Sequence, residues 1–254
     1  MTRVPRPAGH STRPPWAEPA RAAQAPDPPG QAPDAEPGSM EALYPFLYPG
    51  RTDLAAVLEQ ATESSVAKAR EVLALRAELS DQYAGALTAC ARDAAARFAA
   101  GGRLLTFGNG GSATDAQQLA SLFLYPGPGL PALPAIGLAS DTAVLTALSN
   151  DIGVEVVFAR QIGAFGRPHD IALGLSTSGN SPNLLRAFEE AGRRGLMTIG
   201  IAGYDGGAMA ELDCLDYLFV APSASIHRIQ EAQTTMYHIL WELIAAGAGD
   251  PVRA

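Results

Sequence analysis

Arg103-Leu104-Leu105-Thr106-Phe107-Gly108-Asn109-Gly110-Gly111-Ser112 is an apolar run that turns through glycines into a helical pattern. The arrangement returns at Ile171-Ala172-Leu173-Gly174-Leu175, followed by Ser176-Thr177-Ser178-Gly179-Asn180-Ser181 and Pro182. A strand ending in such a loop leaves backbone N–H groups and hydroxyls aimed at one spot. That spot favours an anion, most often a phosphate. Two such loops in one domain predict one phosphorylated ligand held from two sides.

The loops are unequal as signals. Gly108, Gly110 and Gly111 also suit a plain strand-to-helix turn, with Ser112 as the helix cap. The dinucleotide fingerprint G-x-G-x-x-G fails, because Ala113 occupies the third glycine's place. The second loop is more specific. Ser176, Thr177, Ser178 and Ser181 crowd hydroxyls together, and Pro182 suits the first helical position behind a Ser181 N-cap.

Outward from these loops, apolar runs and helical patterns alternate. Candidate strands are 103–107, 135–138, 171–175, 198–202 and 217–220, with helical patterns after Ser112, Asp141, Val154, Ser181, Gly207 and Ser225. This rhythm predicts an α/β fold, a doubly wound parallel five-stranded sheet with helices on both faces. Ligands in such folds bind outside the carboxyl ends of the strands, where both loops fall.

Composition narrows the chemistry. The net charge of -8 in 254 residues argues against a nucleic-acid surface. Lys68 is the sole lysine and lies away from both loops, in the N-terminal helical stretch, which argues against Schiff-base and Walker-type lysine chemistry. Cys90 and Cys214 have no paired spacing, which fits a reducing, cytoplasmic setting and rules out a cysteine-based zinc site. No apolar run approaches the roughly 20 residues of a membrane-spanning helix.

Residues 1–39 are Pro- and Ala-rich without apolar periodicity and read as a disordered tail with no secretory h-region; Met40 is a candidate start. Residues 40–100 read as N-terminal helices that carry oligomerisation. Thr52 is the expected first cap, Ser80-Asp81 a second cap dividing two helices, and Gly101-Gly102 the stop. Residues 101–247 form the α/β domain.

Three further constellations stand out. Asn150 and Asp151 offer short polar groups for sugar hydroxyls, or ordinary helix capping. His169 reads as a solvated loop residue. Gln230 and His238 lie within about 80° of each other on the last helix, so both can face one cleft. A single histidine on an amphipathic helix is equally a packed or solvated side chain.

Gly108-Asn109-Gly110-Gly111-Ser112, Asn150-Asp151, Ser176 to Ser181, Gly203-Tyr204-Asp205-Gly206-Gly207 and Arg228-Ile229-Gln230-Glu231 occur in that order. Together they resemble the SIS (sugar isomerase) domain of the phosphoheptose isomerase family, from about Leu54 to Ile244. The resemblance implies aldose–ketose isomerisation of sedoheptulose 7-phosphate by a homotetramer around a helical core, with sites between subunits. It implies that Asn109, Gly110, Gly111 and Ser112 line the substrate site and that Asn150 and Asp151 contact sugar hydroxyls. Ser176, Thr177, Ser178 and Ser181 would hold the phosphate. Gln230 and His238 would be zinc ligands, with His238 also moving protons.

The chain departs from the family in the helix after the first loop. There the family has a His and, four residues on, a Glu that completes the metal site and acts as base. Here those positions hold Gln118 and Leu122. Leucine neither binds metal nor takes a proton, and a carboxamide is a poor zinc ligand beside imidazole. No metal or other cofactor is therefore expected; zinc would have only Gln230 and His238.

Three readings follow. The chain is a phosphosugar isomerase with His238 and a substitute base, Asp151 or Glu231. Alternatively it is a non-catalytic sugar-phosphate sensor or assembly partner. Or it joins a SIS paralogue in a hetero-oligomer that supplies the missing groups.

Overall fold

A computed structural model describes residues 54–248. Its elements are α1 (Leu54–Ala99), β1 (Leu104–Gly108), α2 (Gly111–Leu124), β2 (Ala135–Gly137) and α3 (Thr142–Asp151). A 3₁₀ turn at Val154–Val156 precedes α4 (Val157–Phe165), β3 (Ile171–Leu175), α5 (Pro182–Arg193) and β4 (Met197–Gly203). A second 3₁₀ turn at Gly207–Glu211 precedes β5 (Tyr217–Ala221) and α6 (Ile226–Ala248). From Arg70 onward the described chain is one compact unit, and residues before Arg70 fall in a second. The described part of that second unit is the helix start, where Val57, Leu58 and Val66 are exposed. The expected tail and the Thr52 cap lie outside the described residues.

All five strands form and pair in parallel in the order β2-β1-β3-β4-β5. Every residue of β1, β3 and β4 is buried, as sheet strands covered on both faces require. Alternation along them feeds two cores. Leu104, Ile171, Leu173, Leu175, Ile199 and Ile201 face α1, α2 and α6. Leu105, Phe107, Ala172 and Ala202 face α4 and α5. Asp170, 1% exposed, pins the starts of β1 and β3 by accepting from the Arg103 and Arg167 amides at 2.9 and 3.1 Å.

Chain direction across the sheet reverses between β1 and β3, because β2 was laid on one side and β3 to β5 on the other. Carboxyl ends of strands at such a switch diverge into a crevice. Gly108 and Leu175 are register partners there, so the two loops leave from neighbouring strand ends.

Two local expectations are corrected. Leu54–Ala99 is a single 46-residue helix, without the second cap at Ser80. Leu75, Leu79, Leu87, Cys90, Ala91, Ala94 and Phe98 keep one buried stripe running through that position. A cap is worth about 1 kcal/mol, less than burying one leucine at about 1.5–3 kcal/mol. After Gly207 only a 3₁₀ turn forms, too short to continue before Leu212 extends.

Candidate functional site

The first loop is shaped by backbone. Gly110 has φ 55 and precedes a helix that begins at Gly111, with no side-chain cap. The expected Ser112 cap is therefore corrected. Ser112 sits inside the first turn, 3% exposed, its amide donating to Asn109 O at 3.0 Å. Asn109, Gly110 and Gly111 are exposed at the strand end.

In the second loop Ser176 is 5% exposed and its Oγ accepts from the Gly179 amide at 3.0 Å. Ser178 Oγ accepts from the Asn180 amide at 3.2 Å. These turns curl the loop, leaving Thr177, Ser178 and Ser181 half-buried. Gly179 has φ +67, and a Cβ there would strike Gly206 O, so only glycine fits. The Ala208 amide donates to Asn180 Oδ1 at 2.8 Å and the Met209 amide to Gly179 O at 2.9 Å, tying in the Gly203–Gly207 stretch. Pro182 opens α5 as expected, but Ser181 makes no side-chain cap bond, so its hydroxyl is not spent on the helix.

Three tethers hold the parts in one place. Asn109 and Asn183 exchange carboxamide hydrogen bonds at 2.9 and 2.8 Å, joining the first loop to the helix after the second. Gln233, fully buried on α6, donates from Nε2 to Ser176 O at 3.0 Å and Ile201 O at 3.2 Å. Gly111 lies so close to the Gln230 carboxamide that a Cβ at 111 would collide with Nε2. Gln230 thus lies against the first loop. His238 is half-buried two turns on, edge-on to Trp241 with ring centroids 6.3 Å apart.

Asn150 and Asp151 close α3, exposed, with Asn150 Nδ2 donating to Asp151 Oδ1 at 2.9 Å. The segment behind them approaches α5 through Glu155 and Arg186, 3.8 Å apart. Glu231 is turned to Arg228, whose Nη1 donates to it at 2.7 Å. His169 is exposed beside a cleft of about 830 Å³ at the amino ends of β4 and β5, away from both loops.

Sequence reasoning missed Asn183, Asp115 and Tyr237. Asp115 Oδ1 accepts from Tyr237 Oη at 3.4 Å, and the Thr234 hydroxyl beside it donates to Gln230 O at 2.9 Å. Burial lifts the Asp115 carboxyl above its ordinary pKa, and the two hydroxyls pull against that rise.

The zinc implied by the resemblance does not fit the residues present. Gln118 is exposed, and Leu122 packs against the core beneath α2. Gln230 and His238 add one carboxamide and one imidazole, and no group of three or more His, Cys, Asp or Glu gathers among the described residues. Zinc sites draw on several imidazoles, thiolates or carboxylates, which this set lacks. No helix among the described residues is long and apolar enough to cross a membrane.

Comparison with known proteins agrees with this fold. Residues 69–203 match the SIS domain model. The chain is 44% identical over 186 residues to a phosphoheptose isomerase of Burkholderia pseudomallei, covering 71% of this chain and 91% of that protein. It is 45% identical over 187 residues to one from Desulfovibrio desulfuricans, covering 73% and 88%. The solved phosphoheptose isomerase GmhA of Neisseria gonorrhoeae superposes with a TM-score of 0.67 at 33% identity, covering 73% of this chain and 99% of that one. A Francisella tularensis phosphoheptose isomerase gives 0.61 at 32%, covering 77% and 100%. With its sheet order, its paired loops and these likenesses in agreement, the chain belongs to the SIS-domain family, among the phosphoheptose isomerases.

Proposed function

We propose that this protein binds a phosphorylated sugar in the β1/β3 crevice and interconverts its ketose and aldose forms, with sedoheptulose 7-phosphate as substrate. The observation that carries this reading is the coupling of both loops and α6 into one cradle. Thr177, Ser178 and Ser181 at the start of α5 supply hydroxyls and a helix N-terminus for the phosphate. Ser176 shapes that loop from beneath. Asn109, Gly110, Gly111, Ser112 and Gln230 line the first-loop side, and Asn150 and Asp151 read sugar hydroxyls at a subunit boundary. His238 takes part in proton transfer. The protein works as a cytoplasmic homotetramer, and exposed Val57, Leu58, Val66 and Leu73 on α1 support association through that helix.

The replacements at Gln118 and Leu122 are the one observation that favours a purely binding role. One experiment separates the two readings. Purified protein is incubated with sedoheptulose 7-phosphate, and heptose 7-phosphate is followed by NMR. The proposal expects interconversion that His238→Ala abolishes. Tight binding with no interconversion would leave a sensor, and neither would overturn the proposal.

A further inference from the structure

Two helical faces meet beside the loops, and Asp115 stands between them. Around α2, Gly111, Asp115, Gln118 and Leu122 fall within about 60° of one another, at roughly 100° per residue. Around α6, Gln230, Thr234, Tyr237 and His238 fall within about 100°. The contacts set their register. Gly111 lies against Gln230, and one turn on Asp115 meets Thr234 and Tyr237. Both sequences advance the same way, so a further turn brings residues 118 and 119 level with His238.

The other carboxylates near the crevice are committed elsewhere. Glu231 accepts from Arg228 at 2.7 Å, Asp151 from Asn150 at 2.9 Å, and Asp205 from the Gly207 amide at 3.1 Å. Asp141 caps α3 through the Val144 amide at 3.0 Å. Asp115 has the Tyr237 hydroxyl as its hydrogen-bond donor, at 3.4 Å, and, among the described residues, makes no ion pair. A half-buried carboxylate with a hydroxyl partner and no cation can take up and release a proton without breaking a salt bridge.

Resting on the isomerase reading above, we propose that Asp115 is the proton-transfer group of this site and does the work that Leu122 cannot. Its carboxylate takes the proton from the hydroxymethyl carbon next to the ketose carbonyl. The C–H electron pair becomes the enediol double bond, and the carbonyl oxygen gains a proton from the His238 side. Asp115 then returns its proton to the former carbonyl carbon. The neighbouring hydroxyl loses its proton to His238, and the aldehyde forms. Atoms and electrons balance with no external oxidant or reductant. The raised proton affinity of the Asp115 carboxyl suits a group that works nearer neutrality than an ordinary aspartate. From α6 it faces the Tyr237 phenol, with the His238 imidazole next along the helix. The strands under α2 (β1, β2 and β3) carry no titratable side chain.

The test uses the intact chain with sedoheptulose 7-phosphate in D₂O. Carbon-bound deuterium is followed by NMR, and binding by calorimetry. Asp115→Asn, which keeps the side-chain shape, is expected to bind within about threefold of wild type and to lose at least about 100-fold in deuterium uptake. Tyr237→Phe removes a hydrogen bond that favours the carboxylate, so it should move the acid limb of the pH–rate profile upward. Asp115→Asn exchanging within about tenfold of wild type, or an unmoved limb in Tyr237→Phe, overturns the assignment. Wild type that binds but exchanges nothing also overturns it while leaving sugar-phosphate binding intact. Wild type that neither binds nor exchanges overturns the isomerase reading with it.

Discussion

Breaking the Asn109–Asn183 pair should unlock the two loops, at a cost set by two hydrogen bonds and one buried carboxamide. Each carboxamide donates to the other, at 2.9 and 2.8 Å, and each hydrogen bond is worth about 0.5–1.5 kcal/mol net. Asn109 is exposed, so water satisfies it when its partner is removed. Asn183 is 5% exposed, so removing Asn109 strands a buried amide at a desolvation cost of about 1–3 kcal/mol. Asn109→Ala is therefore expected to be disproportionately costly for an exposed residue. The double-mutant cycle should show a coupling of about 1–2 kcal/mol, the lower part of the two-bond range because one end is wet. Urea unfolding of wild type, both single variants and the double variant measures it. Sugar-phosphate titrations of the same proteins report whether the loops have lost their mutual placement. A coupling below about 0.5 kcal/mol, the scatter between independent sites, would refute the claim that this pair joins the loops.

Other outcomes follow from the same structure. Phe188 is fully buried against Phe107, centroids 5.1 Å apart, so Phe188→Ala should cost about 3–5 kcal/mol in denaturant unfolding. Gly179→Ala meets both a positive φ and the Gly206 carbonyl, so it should lower the melting temperature and weaken sugar-phosphate binding together. The folded Asp115 carboxyl holds its proton to higher pH than the unfolded one, so its ionisation subtracts stability as pH rises from the unfolded value through the folded one. Asp115→Asn should therefore melt higher relative to wild type at pH 7 than at pH 3, and the reverse trend would contradict the assigned burial. Because Gln118 and Leu122 do not complete a zinc site, chelator treatment should leave melting temperature and sugar-phosphate affinity unchanged.

Much of the fold was legible because its signals are local. Five apolar runs, each cut by glycine, serine or an acidic residue, marked the strands of a sheet buried on both faces. The loop positions followed from the strand ends. What was not legible depended on tertiary contact. Ser80-Asp81 looks like a cap until the buried stripe from Leu75 to Phe98 is seen to continue through it. Ser112 looks like a cap until Gly110 and Gly111 are seen to turn the chain first. Asn183 and Asp115 gave no motif, because their meaning lies in partners 74 and 122 residues away. Gln118 and Leu122 were legible as departures, while the contact of Asp115 on α2 with Tyr237 on α6 became visible only when the two helices were set side by side.

Calorimetric titration of the purified protein with sedoheptulose 7-phosphate, beside unphosphorylated sedoheptulose, asks whether the proposed β1/β3 cradle holds the phosphate of a sugar. Saturable binding of the phosphorylated sugar alone is expected, weakened at least about tenfold, or 1.4 kcal/mol, by Ser178→Ala. Equal binding of both sugars, or none of either, would contradict it.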